Sequence, residues 1–410
     1  MANQWLEQLF DETDCVRMSG TEAETRTAEY LKNLCEKLGA TARIDSFPVP
    51  MGDVSFAELT VDGKTIPCTG CSCCGSGEAE GELLYLPNID PVSLAQAKGK
   101  IVLLDKAGVR NFEYLDLVNA GVKGIVFRCG NRFLRDADID RRDLRAYVVN
   151  GNRKLLCVMI HANDAFELVR ANAKTARIRV EENEYEGASH NVVAELPGET
   201  GEWITLSAHY DTTALSHGAY DNMSGCAGLL GVLDALKGET LRYGLRFLFC
   251  GSEERGLLGS KAYVCDHEDD LKKTVLNVNI DMIGSVMGRF IACVSAEEKL
   301  AHYISYLGAE IGFPVAARTG VYSSDSTPFA DKGVPALSFA RAADPAVAPI
   351  HCRYDTKELL SMERLSGDIA FIAEFTRRMA NAAVCPVSRE IPDDIRKKLD
   401  EYLGRRRPAN

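Results

Sequence analysis

This chain lacks any apolar stretch that approaches the roughly 18 residues needed to span a bilayer, so no membrane partner is expected. It also lacks the opening of a secretory leader. The segment MANQWLEQLFDETDC has neither a basic beginning nor an apolar centre. Positive charge is in deficit: Lys and Arg number 47 against 59 Asp and Glu, for a formal charge of −12. That balance argues against nucleic acid as a partner and fits a cytoplasmic protein kept soluble by self-repulsion. No internal repeat and no long low-complexity linker is present, which removes repeat arrays and tethered modules.

What is present describes an ordinary globular enzyme. The 410 residues are 46% apolar and 26% charged, near the globular norm and enough for two domains. Fourteen cysteines are many. Without a leader, reduced thiols are expected rather than disulfides. Cys226, Cys250 and Cys293 sit in apolar runs, where cysteine packs as a small hydrophobe.

The periodicity gives an organisation. Thr21 and Glu24 form a capping-box pattern. Ala28, Leu31, Cys35 and Leu38 then recur at helical spacing, and Gly39 ends the run. From about residue 51 to 184 the pattern changes to short strand-like runs (VSFAELTV, KIVLLDK, GIVFRC, KLLCVMI) separated by turn residues. A rhythm of strand and helix returns with NVVAELPG and includes an amphipathic stretch from Met223 to Leu236. Strands alternating with helices predict an α/β fold, a mainly parallel or mixed sheet sandwiched by helices. Residues 51–184 read as an inserted smaller β-rich α/β domain, 1–50 with 185–386 as the main domain, and 387–410 as a C-terminal helix and tail. Ile395, Leu399 and Leu403 mark one side of that helix, and the RRRP after it reads as frayed and solvated.

Six residues carry the chemistry: His209, Asp221, Glu253, Glu254, Asp281 and His351. They lie in SAHYDTT, GAYDNMSG, CGSEERGLLGS, NVNIDMIG and APIHCRYDT. Each follows a short apolar run that reads as a buried strand, and the carboxyl ends of parallel strands converge on one crevice. Two imidazoles and several carboxylates in one crevice predict a site for two divalent metals and metal-assisted hydrolysis. Imidazole nitrogen with carboxylate oxygen suits Zn²⁺. Asp211 lies two residues after His209 and so points the same way on a strand. It is placed to accept a hydrogen bond from the imidazole and fix its tautomer.

This ordered set, HxD, an Asp in a Gly/Ser-rich turn, EE-x-GLxGS, DMIG and H-xxx-DT, resembles the co-catalytic zinc aminopeptidase family. That family includes bacterial leucyl aminopeptidases, glutamate carboxypeptidases, glutaminyl cyclases and the transferrin receptor ectodomain. The resemblance covers residues 20–48 and 187–385 and implies a catalytic zinc peptidase domain. It implies Asp221 as a carboxylate bridging two zinc ions, His209 and Asp281 as further ligands of one, and Glu254 and His351 of the other. It implies Glu253 as the general base that takes a proton from metal-activated water. Ser324, Asp325 and Ser326 stand where family members commonly have Ser-Asp-His, which leaves the local hydrogen bonding open. Tyr322 is a candidate to polarise a scissile carbonyl or a packing tyrosine. Asp355 and Thr356 match the family's DT and are expected to organise the loop.

The run GKIVLLDKAGVRNFEYLDLVNAGVKGIVFRC resembles the protease-associated domain inserted in several members. The resemblance implies a lid or a dimer contact without chemistry of its own, and homo-oligomerisation stays open. Cys68, Cys71, Cys73 and Cys74 form CTGCSCC, half of a zinc-site pattern with no second pair at usual spacing. A solvent-near loop of reduced thiols is the expectation there. The function implied is an aminopeptidase acting on peptides with a free N-terminus. The alternatives are a carboxypeptidase, for which Arg341 or Arg353 would hold the terminal carboxylate, a glutaminyl cyclase, and a non-catalytic peptide-binding homologue.

Overall fold

The computed structural model describes residues 4–134 and 138–408. The chain divides into two compact units, Met1–Val49 with Ala188–Asn410, and Pro50–Gly187. Two long strands, Thr41–Val61 and Thr175–Leu196, cross between them.

In the first unit, Gly244–Cys250, Trp203–His209, Thr274–Ile280 and Ala336–Ala342 lie side by side and parallel. Antiparallel pairings extend the sheet both ways. Residues 192–196 pair with Gly244–Cys250, and Arg289–Ser295 pairs with Ala336–Ala342. The result is the expected α/β architecture with a mixed sheet. Successive side chains of a strand point to opposite faces, so Phe247 and Phe249 enter one core while Leu248 and Cys250 enter another. Helices cover both faces. Ser224–Leu236 and Met362–Ala380 pack together on the first; Leu258–Asp266, Ser326–Asp331 and Asp393–Tyr402 cover the second. Phe339 anchors the first core edge-on to Phe371 and Phe375, with ring centroids 5.9 and 5.4 Å away, a favoured geometry for aromatic pairs.

Several local expectations change. The helix Ser224–Leu236 is buried on all sides rather than amphipathic, because the sheet and Met362–Ala380 enclose it. An earlier helix, Gln4–Glu12, was not signalled by the periodicity. Thr21 does cap Glu22–Lys37 by accepting from the Glu24 backbone, but the Glu24 carboxylate does not return to the cap. It is buried and accepts from Ser189, His190 and Tyr210 instead. The tail after Asp393–Tyr402 is not frayed at Arg405, which grips both oxygens of Asp331 at 2.6 Å. Ile391, Ile395 and Leu399 belong to the core of the first unit.

The second unit has its own core and its own parallel strands: Gly77–Leu86, Ile101–Leu104, Gly124–Cys129 and Leu156–His161, in that order. Helices Asn111–Asn119 and Ala162–Arg170 follow two of them. The cysteine loop is not solvent-near. Cys71, Cys73 and Cys74 are buried, because Thr69–Gly70 pairs with Leu156–His161 and the Glu182 carboxylate accepts from the backbone of Cys73 and Gly75. Burial pushes the Cys74 thiol up to about 12.

Candidate metal centre

His209 is the last residue of its strand and Asp281 follows the last residue of the adjacent parallel strand. These two sit at carboxyl ends, as expected. Glu253 and Glu254 lie three and four residues beyond Cys250, in a turn closed by Gly256 and Leu257 donating to the Glu253 carbonyl. Asp221 and His351 come from longer loops and are not at strand ends. Asp221 sits just before the helix Ser224–Leu236, and His351 lies nine residues past Ala342. Loops reach the crevice here because their backbone is held by side chains rather than by the sheet.

The holding groups are specific. Asp355 accepts from the backbone of Tyr220 at 2.7 Å and of Asp221 at 3.1 Å. Asn222 accepts from Gly225 and Met282 and donates to the Ile280 carbonyl, tying the Asp221 loop to the Asp281 strand. Gly225 is required by this approach: a Cβ there would stand 2.4 Å from both the Asn222 side chain and the Ile280 carbonyl. Asp211 accepts from the backbone of Glu253 at 2.9 Å and of Glu254 at 3.2 Å. His209 Nδ1 lies 3.3 Å from the Asp211 backbone carbonyl and 3.5 Å from its carboxylate, so the carboxylate pins the glutamate turn while the same residue faces the imidazole. Ser252, Met282 and His351 all have positive φ without being glycine, a backbone cost of order 1–3 kcal/mol each that clusters at functional sites.

The side chains converge in two triads that share Asp221: His209, Asp221 and Asp281, and Asp221, Glu254 and His351, each with ligand atoms within 4.8 Å of one another. One oxygen of Asp221 lies 3.1 Å from His209 Nε2, and the other lies 3.1 Å from His351 Nε2. Glu254 is 3.0 Å from His351 Nε2, and Asp281 is 3.8 Å from His209 Nε2. Asp281 Oδ1 is buried with no hydrogen-bond partner, which is the state of an oxygen built to hold a cation. The imidazole and carboxylate donors fit zinc. Cys68, Cys71, Cys73 and Cys74 form no comparable group among the described residues.

The charges point the same way. Burial, with Asp221, Asp325 and Glu254 nearby, pushes the Asp281 carboxyl up to about 8. Burial likewise lifts Asp325 to about 6 and Asp355, beside Asp221, to about 7. Burial also raises Glu253 well above the usual carboxyl range. His209 is raised too: burial opposes the charged ring, but Glu253, Asp211 and Asp221 outweigh it. Such a cluster is short of positive charge, and divalent ions would supply it.

All seven residues expected from the sequence meet here. Asn222, Arg17 and the binding of Asp355 to two backbone N–H groups were not anticipated in their particulars. At Ser324-Asp325-Ser326, where the sequence left the hydrogen bonding open, Ser324, Ser326 and Ser338 form a closed ring of hydroxyls 2.8–2.9 Å apart, and Asp325 accepts from Ser260. Arg341 is unavailable to a substrate carboxylate. It is buried against Asp368 and the Gly288 carbonyl.

Comparison with known proteins gives concordant results. A family model for Peptidase family M28 matches residues 191–374. Aminopeptidase YwaD of Bacillus subtilis is 27% identical over 381 residues, spanning 88% of this chain and 80% of that protein. Among solved structures, an aminopeptidase from Aneurinibacillus sp. strain AM-1 superposes with a TM-score of 0.74 at 21% identity, covering 93% of this chain and 96% of the other. A zinc aminopeptidase from Bacillus subtilis does so with a TM-score of 0.73 at 23% identity, covering 94% and 98%.

Proposed function

We propose, from the match of residues 191–374 to peptidase family M28 and the likeness to aminopeptidase YwaD, that this chain is a two-zinc aminopeptidase of that family that releases the N-terminal residue of peptides. It is a metal-dependent hydrolase of peptide substrates. His209, Asp221 and Asp281 would hold one ion, and Asp221, Glu254 and His351 would hold the second. Bound there, the ions supply Lewis acidity and lower the pKa of water. Glu253 stands beside His209 with its carboxyl raised by burial. It accepts a proton from the attacking water and returns it to the leaving amine. Asp211 keeps Glu253 and Glu254 in register through their backbone. Tyr322, kept protonated by burial and by Asp281, is available to donate to the scissile carbonyl.

The observation that carries this reading is Asp221, with one oxygen toward each imidazole at 3.1 Å. Arg341, one of the two arginines that could hold a terminal carboxylate, is committed to Asp368, which supports a free amino terminus over a terminal carboxylate at that position. A binding-only homologue would have no reason to keep both triads. The acidic charge and the many thiols support a cytoplasmic location, and the strand-helix-strand of residues 101–129 supports a protease-associated-like second unit. Elemental analysis after zinc reconstitution, with a panel of free-amine, N-blocked and C-terminally varied substrates, tests the proposal. Two zinc equivalents and hydrolysis restricted to free amines are expected. Consistently less than one bound metal at neutral pH sinks the two-metal mechanism, and cleavage of N-blocked peptides from the carboxyl end makes it a carboxypeptidase.

A further inference from the structure

Arg17 lies outside every motif named above, yet it is among the largest fully buried side chains of the molecule. Among the described residues its guanidinium meets no carboxylate. Every contact is a backbone carbonyl: Nε donates to Tyr210 at 2.9 Å, Nη1 to Thr13, Cys15 and His217 at 2.5, 2.9 and 2.6 Å, and Nη2 to Gly218 at 3.0 Å. Its backbone N–H donates to the Thr212 hydroxyl at 2.9 Å, and its carbonyl accepts from the Thr212 backbone at 3.2 Å. Tyr210 and Thr212 flank Asp211 at the start of the loop that joins His209 to Asp221; His217 and Gly218 stand at its end.

We propose that Arg17 is a positioning residue for the first metal triad. Its planar fork closes the loop from residue 210 to 218, sets the span between His209 and Asp221, and places a fixed cation beneath a cluster rich in carboxylates. A buried cation without a direct counter-ion is costly, so it needs a compensating field. Burial lowers the guanidinium's pKa, and Cys15, Cys226, Asp355 and Asp211 act against that. A lysine would keep the charge but cannot reproduce the fork. This inference rests on the two-metal reading, and it assigns the larger effect of Arg17 to the His209 side of the centre, since the other triad shares only Asp221 with this loop.

The test compares wild type with R17K, R17M and T212V in the full chain. Zinc and cobalt affinities are measured by chelator competition, the cobalt absorption spectrum is recorded, and thermal unfolding is followed in chelator. Groups that orient metal ligands typically contribute roughly 10–100-fold in affinity. A loss of that size is expected for the ion of the His209 triad in both Arg17 variants, with an altered cobalt spectrum. T212V should lose less. The ion held by Glu254 and His351, which depends on this loop only through the shared Asp221, should lose less, and kcat should fall more than KM rises. Equal weakening of both ions, in step with metal-free stability, would reduce Arg17 to a structural residue and overturn the inference. So would unchanged affinity at the His209 triad. If R17M fails to fold, R17K and T212V decide. Wild type that binds no metal overturns the two-metal reading itself.

Discussion

The two units use one local grammar and reach opposite ends with it. In both, parallel strands finish in polar residues. At the strand ends of the first unit, and in the loops beyond them, stand His209, Asp211, Asp221, Glu253, Glu254, Asp281 and His351. In the second unit the ends carry Asp105, Cys129 and His161. There the polar groups serve local structure: Asp105 pairs with Arg128, the Cys129 thiol donates to the Ile160 carbonyl, and His161 caps Ala162–Arg170 by accepting from Asn163. Each unit keeps a buried polar atom unsatisfied, His161 Nε2 in the second and Asp281 Oδ1 in the first, but among the described residues only the first gathers carboxylates around its imidazoles. Parallel strands thus provide a place. Surplus charge, held there by loops that other side chains pin, makes the place a site.

The sharpest way to break this contrast is at Glu253. Glu253→Gln should leave the fold and both metals intact and lower kcat by at least about 10²–10⁴-fold, the usual worth of a general base. Glu254→Gln should instead weaken metal binding first. Stopped-flow hydrolysis with metal analysis separates the two, and near-normal turnover in Glu253→Gln would remove it from the chemistry. In the second unit the largest effect should be on stability alone. Leu103→Ala empties a site that is 1% exposed, at about 2–5 kcal/mol, while zinc stoichiometry stays at the wild-type value. A coupled loss of zinc would tie the metal centre to the second core.

Chelation should act on the other side of the contrast. Ions present at about 100 times their Kd stabilise the folded form by about 2.7 kcal/mol each, so calorimetry in chelator should show the unfolding of the first unit shifted down and that of the second unchanged. A uniform shift would contradict this.

The smallest effect concerns His190. The Glu24 hydrogen bond raises its pKa above the ordinary histidine value of 6.5, against the opposing cost of burial. A raised histidine contributes stability that is complete below its unfolded pKa and is lost as pH climbs through the folded one. The margin of wild type over His190→Gln should therefore be greatest below pH 6.5 and shrink above it. A margin that grows with pH would reverse the assignment.

Much of the site was legible because each ligand type is rare in an apolar run. A histidine or acid at the end of WITLSAHYD or LNVNIDMIG has few structural uses there. The strand-helix alternation likewise gave the sheet and the inserted segment. Asp221 and His351 were assigned to strand ends because motif order says nothing of loop length. Arg17 left no trace, since three of its five partners are carbonyls about 200 residues away, and any residue can supply a carbonyl. The burial of CTGCSCC was hidden because its turn-like composition does not reveal that Glu182 gathers its backbone. Glu24 was misread for a related reason: the capping pattern is local, while Tyr210 and Ser189 compete for the same carboxylate from across the fold.

The shared carboxylate of Asp221 has a thermodynamic consequence. Two binding sites that own one ligand in common are not independent variables. Whatever factor occupancy of the His209 triad imposes on affinity at the His351 triad is returned, unchanged, in the opposite direction. Loading should therefore follow a coupled isotherm rather than two separate saturations. On the two-metal reading, the half-loaded protein would be a distinct macroscopic state.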